Sequence, residues 1–277
     1  MKDLKHLIEF ENLLQETENA LVRKAKAEGR ILIGMNCYQL PEVLLNLPGC
    51  TAVRMRAPHT SSLEIGTYYM TSLNCEYCRA LVERCMEGGY NFLDCIFDAY
   101  ACSQMADAND NIEKLHLCDK DNPHFFVAHV DTPIKADENG VRHLTRMCRA
   151  RVLDRLQSEF GIDVSDDALR KAVAEHNEVC RLVNEIGSYR KLENPTITGY
   201  EFAVICLATY CCPKDLLLPL LRKTTEELKT REPDEKPAWR VKVVLTGGEV
   251  DDPDFVKLIE QAGALVVADR ICFGSFP

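Results

Sequence analysis

The sequence predicts an α/β protein with three parts: a parallel-sheet lobe over residues 1–136, a helical middle segment over 137–236, and the start of a second α/β lobe over 237–277. Two observations lead to this prediction. Short apolar runs alternate with helical periods in the first and last parts, and such runs disappear between them. A length of 277 residues allows one large or two small domains and is enough to bury a sizeable core.

The first lobe begins with apolar side chains at helical spacing, which predict an amphipathic helix over residues 1–28. Short apolar runs then predict four buried strands: Ile31–Met35, Thr51–Met55, Phe92–Phe97 and Phe125–Val130. The stretches between and after them predict three helices: 41–47, 75–87 and 103–116. Strands that alternate with helices indicate a largely parallel sheet, so the first lobe is predicted to be Rossmann-like.

The middle segment carries helix signals only. A helical run over 140–160 ends at Gly161, the residue type that most often follows a helix C-terminus. Ser165, with two aspartates after it, marks the start of the next helix, which Pro195 stops. Pro213 separates two shorter helices, and residues 231–237, with two prolines, are predicted to be a linker.

The last segment returns to the βα rhythm. Its predicted elements are two strands and one helix: Arg240–Leu245, Ala264–Ala268 and Asp252–Ala262. Two strands and one helix are too few for a stable lobe alone. We therefore expect either that they extend another sheet or, as the favoured interpretation, that the sequence is a fragment.

Composition and charge exclude several classes of protein. The 33 basic and 43 acidic residues give a net charge of −10, which argues against a general nucleic-acid or anionic-membrane binder. The N-terminus has no secretory pattern, and the longest apolar stretch, Phe202–Leu221, is interrupted by Pro213 and two charges, so no membrane span is predicted. The 14 cysteines are therefore expected to be reduced thiols or metal ligands.

Most of the cysteines are expected to be small buried apolar side chains. This group contains Cys37, Cys50, Cys85, Cys95, Cys148, Cys180, Cys206, Cys211 and Cys212. Four others are placed differently. Cys75 and Cys78 form a C-x-x-C pair at the start of a predicted helix, while Cys102 and Cys272 each follow a predicted strand. A single C-x-x-C pair is a weak zinc signal, because zinc ribbons need a second pair.

Sites in open α/β sheets form beyond the carboxyl ends of the strands, near helix N-termini. Cys75, Cys102 and Cys272 can therefore converge from three loops, where helix N–H groups favour the thiolate form. Thiolates suit zinc or iron–sulfur clusters. Three of them would hold a [4Fe-4S] cluster and leave one iron open to another ligand. Buried structural thiols remain the alternative.

These motifs resemble those of the D-component family of 2-hydroxyacyl-CoA dehydratases, which includes subunits of benzoyl-CoA reductases. The similar segments are Tyr38-x-x-Pro41-Glu42, Cys75-Glu-Tyr-Cys-Arg79, Ala101-Cys102-Ser103 and Asp269-Arg-Ile-Cys272. Ser103 departs from the family, which usually has an acid there. Family members usually continue well beyond the third motif, so the resemblance predicts that this chain, ending at Pro277, is truncated at its C-terminus.

The resemblance implies a [4Fe-4S] cluster on Cys75, Cys102 and Cys272, in a heterodimer with a homologous second subunit. It implies elimination of water from a 2-hydroxyacyl-CoA through a ketyl radical, after one-electron reduction by an ATP-dependent iron–sulfur activator. No nucleic acid or membrane is an expected partner, and an anaerobic cytoplasm is the implied setting. Alternatives are a benzoyl-CoA reductase-type subunit, a non-catalytic cluster-binding subunit, or a zinc-binding structural protein.

Two further residues are weighed for acid–base chemistry. Glu42 is the candidate catalytic residue, with a helix N-terminal acid stabilised by the helix dipole as the more ordinary interpretation. His129 falls in a predicted strand and is expected to be a core histidine with its hydrogen bonds satisfied.

Overall fold

The computed structural model describes residues 4–57, 59–120 and 122–275. Its strands are β1 (Ile31–Met35), β2 (Cys50–Arg54), β3 (Cys95–Tyr100), β4 (Val127–Asp131), β5 (Val241–Thr246) and β6 (Ala264–Arg270). Its α-helices are α1 (Leu7–Leu13), α2 (Ala20–Ala27), α3 (Glu64–Met70), α4 (Glu76–Met86), α5 (Ser103–Lys114), α6 (Glu138–Met147), α7 (Asp154–Phe160), α8 (Asp166–Ser188), α9 (Gly199–Cys211), α10 (Lys214–Leu228) and α11 (Asp254–Gln261).

The chain divides into two compact units. Residues Val22–Val173 form what we call the four-stranded unit, and Met1–Leu21 with Ala174–Pro277 form the two-stranded unit. The division into segments 1–136, 137–236 and 237–277 stays a prediction. Pro277 lies outside the described residues.

The four-stranded unit confirms the predicted α/β fold. All its strands are parallel, in the order β2-β1-β3-β4. The chain therefore adds strands on one side of β1 and then on the other side of β3, which makes the β1–β3 gap the topological switch point. Nearly every residue of β1, β2 and β3 is buried, as expected for a parallel sheet covered on both faces. At Gly34, in β1, an added Cβ would lie 2.7 Å from Leu93 Cδ1 and 2.9 Å from Ile96 Cγ1, so a larger residue would force these buried side chains to shift.

The helical run predicted over 140–160 is present, with one irregular turn. Helix α6 begins after Asp137, whose carboxylate accepts a hydrogen bond from the N–H of Gly140 at 2.8 Å. A π-helical turn, Cys148–Leu153, then joins it directly to α7. The run ends at Gly161, whose φ of 68° is the left-handed conformation that glycine adopts most easily.

The two-stranded unit is mostly helical. β5 pairs in parallel with β6, and helix α9 packs against α1, α11 and β6. Helix α9 starts with a reciprocal capping box between Thr198 and Glu201. The described part of this unit contains buried ion pairs, among them Arg190 with Asp269 and Arg231 with Glu201. Among the described residues, no helix combines the length and apolar character needed to cross a membrane.

Three predicted elements need correction, and one observed helix has no counterpart in the prediction. The helix expected over 1–28 is two helices, α1 and α2, with buried Asn19 between them. The helix expected over 41–47 is only a 3-10 turn, Glu42–Leu45, because the Asn46 amide bonds back to the Glu42 carbonyl and to β2. Strand β3 lies further along than predicted, since Tyr90 and Phe92 are buried in the turn before it. Helix α3 was not predicted.

Candidate functional site

Cys102 lies at the carboxyl end of β3, where the chain turns into helix α5. It is the N-cap residue of α5, with extended backbone angles, and its carbonyl accepts from the N–H of Ala106 at 3.0 Å. Its side chain makes no capping hydrogen bond and is exposed. The thiol is therefore available to a ligand at the N-terminal end of α5.

Cys75 occupies the same position on α4. It is the N-cap residue, its carbonyl accepts from the N–H of Arg79 at 3.1 Å, and its side chain is exposed without a capping bond. Cys78, the other cysteine of the C-x-x-C pair, lies in the first turn of α4 and is buried. The two members of the pair thus face different surroundings, and only Cys75 is open to solvent.

The structure brings the Cys75 and Cys102 loops together. The Cys75 N–H donates to Gln104 Oε1 at 2.7 Å, and Gln104 lies in the first turn of α5, two residues after Cys102. A second link joins Asn74 Nδ2 to Asp107 Oδ2 at 3.2 Å. Both exposed thiols therefore belong to one locally connected edge of the four-stranded unit.

Arg79 holds the turn that precedes Cys75. Its Nε donates to the carbonyl of Asn74 at 3.2 Å, and its Nη1 donates to Thr67 Oγ1 on α3 at 2.8 Å. The planar guanidinium thus joins the middle of α3 to the start of α4 in a fixed geometry. This contact gives a physical reason for an arginine four positions after the cysteine.

Cys272 lies in the other compact unit. It follows β6 in a turn, is half-buried, and donates its N–H to the carbonyl of Gly248 at 3.1 Å. The turn is braced by Asp269, whose Oδ1 accepts from the N–H of Ser275 at 2.6 Å and whose Oδ2 accepts from Arg190 Nη1 at 2.7 Å. Within the described residues, no group of three or more His, Cys, Asp or Glu side chains is arranged to hold a metal ion.

Glu42 starts the 3-10 turn after β1 and is half-buried. Its Oε1 accepts a hydrogen bond of 3.4 Å from Asn46 Nδ2, while Asn46 Oδ1 accepts from the N–H of Ala52 on β2 at 2.9 Å. Glu42 therefore takes part in the contacts that hold the 3-10 turn against β2. Its acid–base role stays a prediction.

The cysteines expected in the core are buried or half-buried. Burial raises the pKa of Cys50 to about 12 and raises the pKa values of Cys95 and Cys206 above the ordinary thiol value. These thiols stay protonated at neutral pH and do not act as nucleophiles or ligands without rearrangement. All fourteen cysteines lie among the described residues, and none is in a disulfide.

One polar cluster was not anticipated. His129 on β4 lies between Asp98 on β3 and Asp110 on α5, with Nδ1 3.4 Å from Asp98 Oδ2 and Nε2 3.1 Å from Asp110 Oδ1. His129 was expected to have its hydrogen bonds satisfied, but its partners were not identified. The available signal was an aspartate inside the apolar run Cys95-Ile-Phe-Asp98.

The fold and these thiols define a class: an α/β protein with exposed cysteines at helix N-termini beside a parallel sheet. The family follows from comparison with known proteins. The model of the family described as 2-hydroxyglutaryl-CoA dehydratase, D-component, matches residues 37–277. The chain belongs to this family, which confirms the resemblance drawn from its motifs.

Curated relatives are dehydratase subunits. The chain is 22% identical over 267 residues to the (R)-phenyllactyl-CoA dehydratase beta subunit of Clostridium sporogenes, covering 96% of this chain and 69% of that protein. It is 23% identical over 279 residues to the beta subunit of (R)-2-hydroxyglutaryl-CoA dehydratase of Acidaminococcus fermentans, covering 97% and 69%. A putative dehydratase subunit of Escherichia coli is 22% identical over 270 residues, covering 94% and 68%.

Proposed function

We propose that this chain is the iron–sulfur subunit of a 2-hydroxyacyl-CoA dehydratase, with Cys75, Cys102 and Cys272 as ligands of a [4Fe-4S] cluster. The observation that carries the proposal is the pair of exposed thiols at the heads of α4 and α5, joined by the Cys75 N–H···Gln104 bond. The pair lies within the stretch matched by the family.

The donor set fits such a cluster. Iron–sulfur clusters are held by cysteine thiolates, and Cys75 and Cys102 are exposed cysteines that each precede the first residue of a helix. The buried thiols of the same unit have raised pKa values, so they compete poorly as ligands. Cys272 is assigned by its motif, and its turn is fixed by Asp269 and the backbone of Gly248.

The proposed reaction explains why a redox centre is needed. The C3 proton of a 2-hydroxyacyl-CoA is not acidic, so acid–base catalysis alone does not remove it. One electron on the thioester carbonyl gives a ketyl radical, and loss of hydroxide leaves an enoxy radical whose C3 proton is acidic. Once that proton is lost, the electron is recovered for the next turnover, so the overall change is the loss of one water molecule. When bound, the cluster supplies electron relay or Lewis acidity at its open iron. Glu42 is the proposed acid–base residue of this chain.

Two protein partners belong to the proposal. The relatives named above are beta subunits, which supports a second subunit beside this chain. The electron is proposed to come from a separate ATP-dependent iron–sulfur activator, and the substrate is an acyl-CoA.

The test is metal analysis after anaerobic purification. Iron and acid-labile sulfide are measured per chain on the wild type and on Cys75→Ala, Cys102→Ala and Cys272→Ala. About four of each per chain in the wild type, lost in all three variants, is the expected result. Cys78→Ala is the matched control, because it removes the buried member of the same C-x-x-C pair. It should keep its iron.

Two results would contradict the proposal. Iron that is indifferent to Cys75, Cys102 and Cys272 would reject the ligand assignment. A colourless preparation that contains stoichiometric zinc would favour a structural zinc site instead.

A further inference from the structure

A row of polar side chains crosses the interior of the four-stranded unit below helix α5. Asp98 on β3 is directly opposite His129 on β4 in the sheet register. Met35 on β1 pairs with Phe97 on β3. Because the strands are parallel, the next residue, Asn36, lies beside Asp98 and continues the row. Helix α5 covers this row, since Asn36 Nδ2 donates to Asn109 Oδ1 at 2.7 Å and His129 Nε2 lies 3.1 Å from Asp110 Oδ1.

The Asp98 carboxyl group depends on His129. Asp98 is fully buried, and its Oδ2 lies 3.4 Å from His129 Nδ1. Its Oδ1 is also buried and has no hydrogen-bond partner within the described part of the chain. Burying a carboxylate costs free energy unless the charge is paired. The His129 imidazolium pairs with the Asp98 carboxylate and so offsets this cost.

The hydrogen bonding of His129 selects its charged form. Both ring nitrogens face carboxylate oxygens, and only the doubly protonated ring donates from both. The Asp98 hydrogen bond raises the pKa of His129 above 6.5, with Asp110 acting in the same direction and burial acting against them. The ring is 28% exposed, so its protonation state can follow the solvent.

We propose that His129 is a positioning residue for the two loops that carry Cys75 and Cys102. Its imidazolium ties β3 and β4 to helix α5, and α5 carries Cys102 at its head and Gln104, which holds the Cys75 backbone, in its first turn. The link to metal binding rests on the function proposed above. The tie itself rests only on the geometry of the described residues.

The tie has a defined pH dependence. Because the folded-state pKa is raised, the stabilisation is complete below about pH 6.5 and is lost as the pH rises through the raised value. Asp98, Asp110 and Tyr100 contact the ring. The other titratable or charged side chains on the elements packed here are Glu113 and Lys114 on α5, Asp131 on β4 and His143 on α6.

His143 supplies the matched control. Its Nε2 lies 2.8 Å from Asp131 Oδ2, two residues after His129 on the same strand, but this pair is more exposed and does not involve α5. His143→Gln therefore removes a neighbouring histidine–aspartate pair without removing the tie between α5 and the sheet.

The experiment measures amide hydrogen exchange of peptides from α5 and β4 in the full chain at pH 6.5 and pH 8.5, corrected for intrinsic rates. In the wild type, exchange is expected to become faster at the higher pH, because the charged hydrogen bonds of His129 are then lost. His129→Gln should exchange fast at both pH values, whereas His143→Gln should keep the step, that is, the increase in exchange from pH 6.5 to pH 8.5. Asp98→Asn should move this step to lower pH. If His129→Gln does not fold, Asp110→Asn removes the more exposed half of the tie.

Any of three results would overturn the proposal. Exchange in the wild type does not increase between pH 6.5 and pH 8.5, His143→Gln is unprotected at both pH values, or His129→Gln is fully protected at both. The same samples, prepared anaerobically, are treated with an iron chelator. Iron release that accelerates across the same pH range, and is already fast at pH 6.5 in His129→Gln, is the expected result. If iron that requires the ligand cysteines is released at the same rate from the wild type and from His129→Gln, the positioning role is overturned and the proposed function is unaffected. A step in exchange with no bound iron supports the tie and overturns the proposed function instead.

Discussion

Replacing Arg190 by methionine should destabilise the two-stranded unit strongly. Arg190 Nη1 lies 2.7 Å from Asp269 Oδ2, and the two side chains are only 3% and 5% exposed. The substitution leaves the Asp269 carboxylate buried without its counter-ion, a change that costs about 3–5 kcal/mol. The guanidinium also lies 3.5 Å above the Phe202 ring, and this contact is lost with it.

Urea unfolding followed by the fluorescence of Trp239, the single tryptophan of the chain, measures this cost. Trp239 belongs to the two-stranded unit and lines a cavity with Pro237 and Leu265, so its emission reports on that unit. The control is Arg181→Met, which removes an exposed pair with Glu185 and should cost only about 0.3–0.5 kcal/mol.

A double-mutant cycle tests the stated cause. Adding Asp269→Asn to Arg190→Met removes the carboxylate that has lost its counter-ion. The double variant should therefore be at least about 1 kcal/mol more stable than the sum of the single effects predicts. Additive effects, or an Arg190→Met cost no larger than that of the exposed control, would refute the reasoning.

Three further outcomes are expected. Thr198→Ala removes the cap of α9 and should lower the free energy of unfolding by about 1 kcal/mol, measured by tryptophan fluorescence; no change would contradict the cap's role. Gly66→Ala places a Cβ against the Arg79 carbonyl oxygen and should lower the free energy of unfolding by about 1–3 kcal/mol, measured by circular dichroism in urea. The control is Gly248→Ala, which has open space around it and should be near neutral. Burial raises the pKa of Cys50 to about 12, so this thiol should resist iodoacetamide at pH 8 in the native chain. The exposed cysteine at the start of α4 should be labelled under the same conditions, and mass spectrometry distinguishes the two sites.

Sequence patterns predicted the regular part of the fold well. β1 is confirmed to the residue, because an apolar run bounded by Arg30 and Asn36 has few other solutions in an α/β protein. Helix α3 was missed, because its sequence Glu-Ile-Gly-Thr-Tyr-Tyr-Met has no apolar period and Tyr68 is 81% exposed. That helix is fixed by tertiary contacts, with Gly66 packed against α4 and Arg79 bonded to Thr67.

The candidate site was predicted in a similar way. The positions of Cys75 and Cys102 at helix starts followed from local signals and are observed. The partnership of Asp98 with His129 could not be predicted, because it depends on the register of two strands whose pairing residues are 31 positions apart. A charged residue within a buried strand was the only local sign of it.

The strand order also sets the expected course of folding for the four-stranded unit. β1 meets β2 by closing a short loop, since Ile31 pairs with Cys50, and β3 meets β4 in a comparable way. The central seam instead joins Ile33 to Cys95, 62 positions away. Closing that longer loop costs about 1 kcal/mol more entropy than closing the β1–β2 loop. The two outer pairs should therefore form early, and the central seam should be the late event that limits the folding rate.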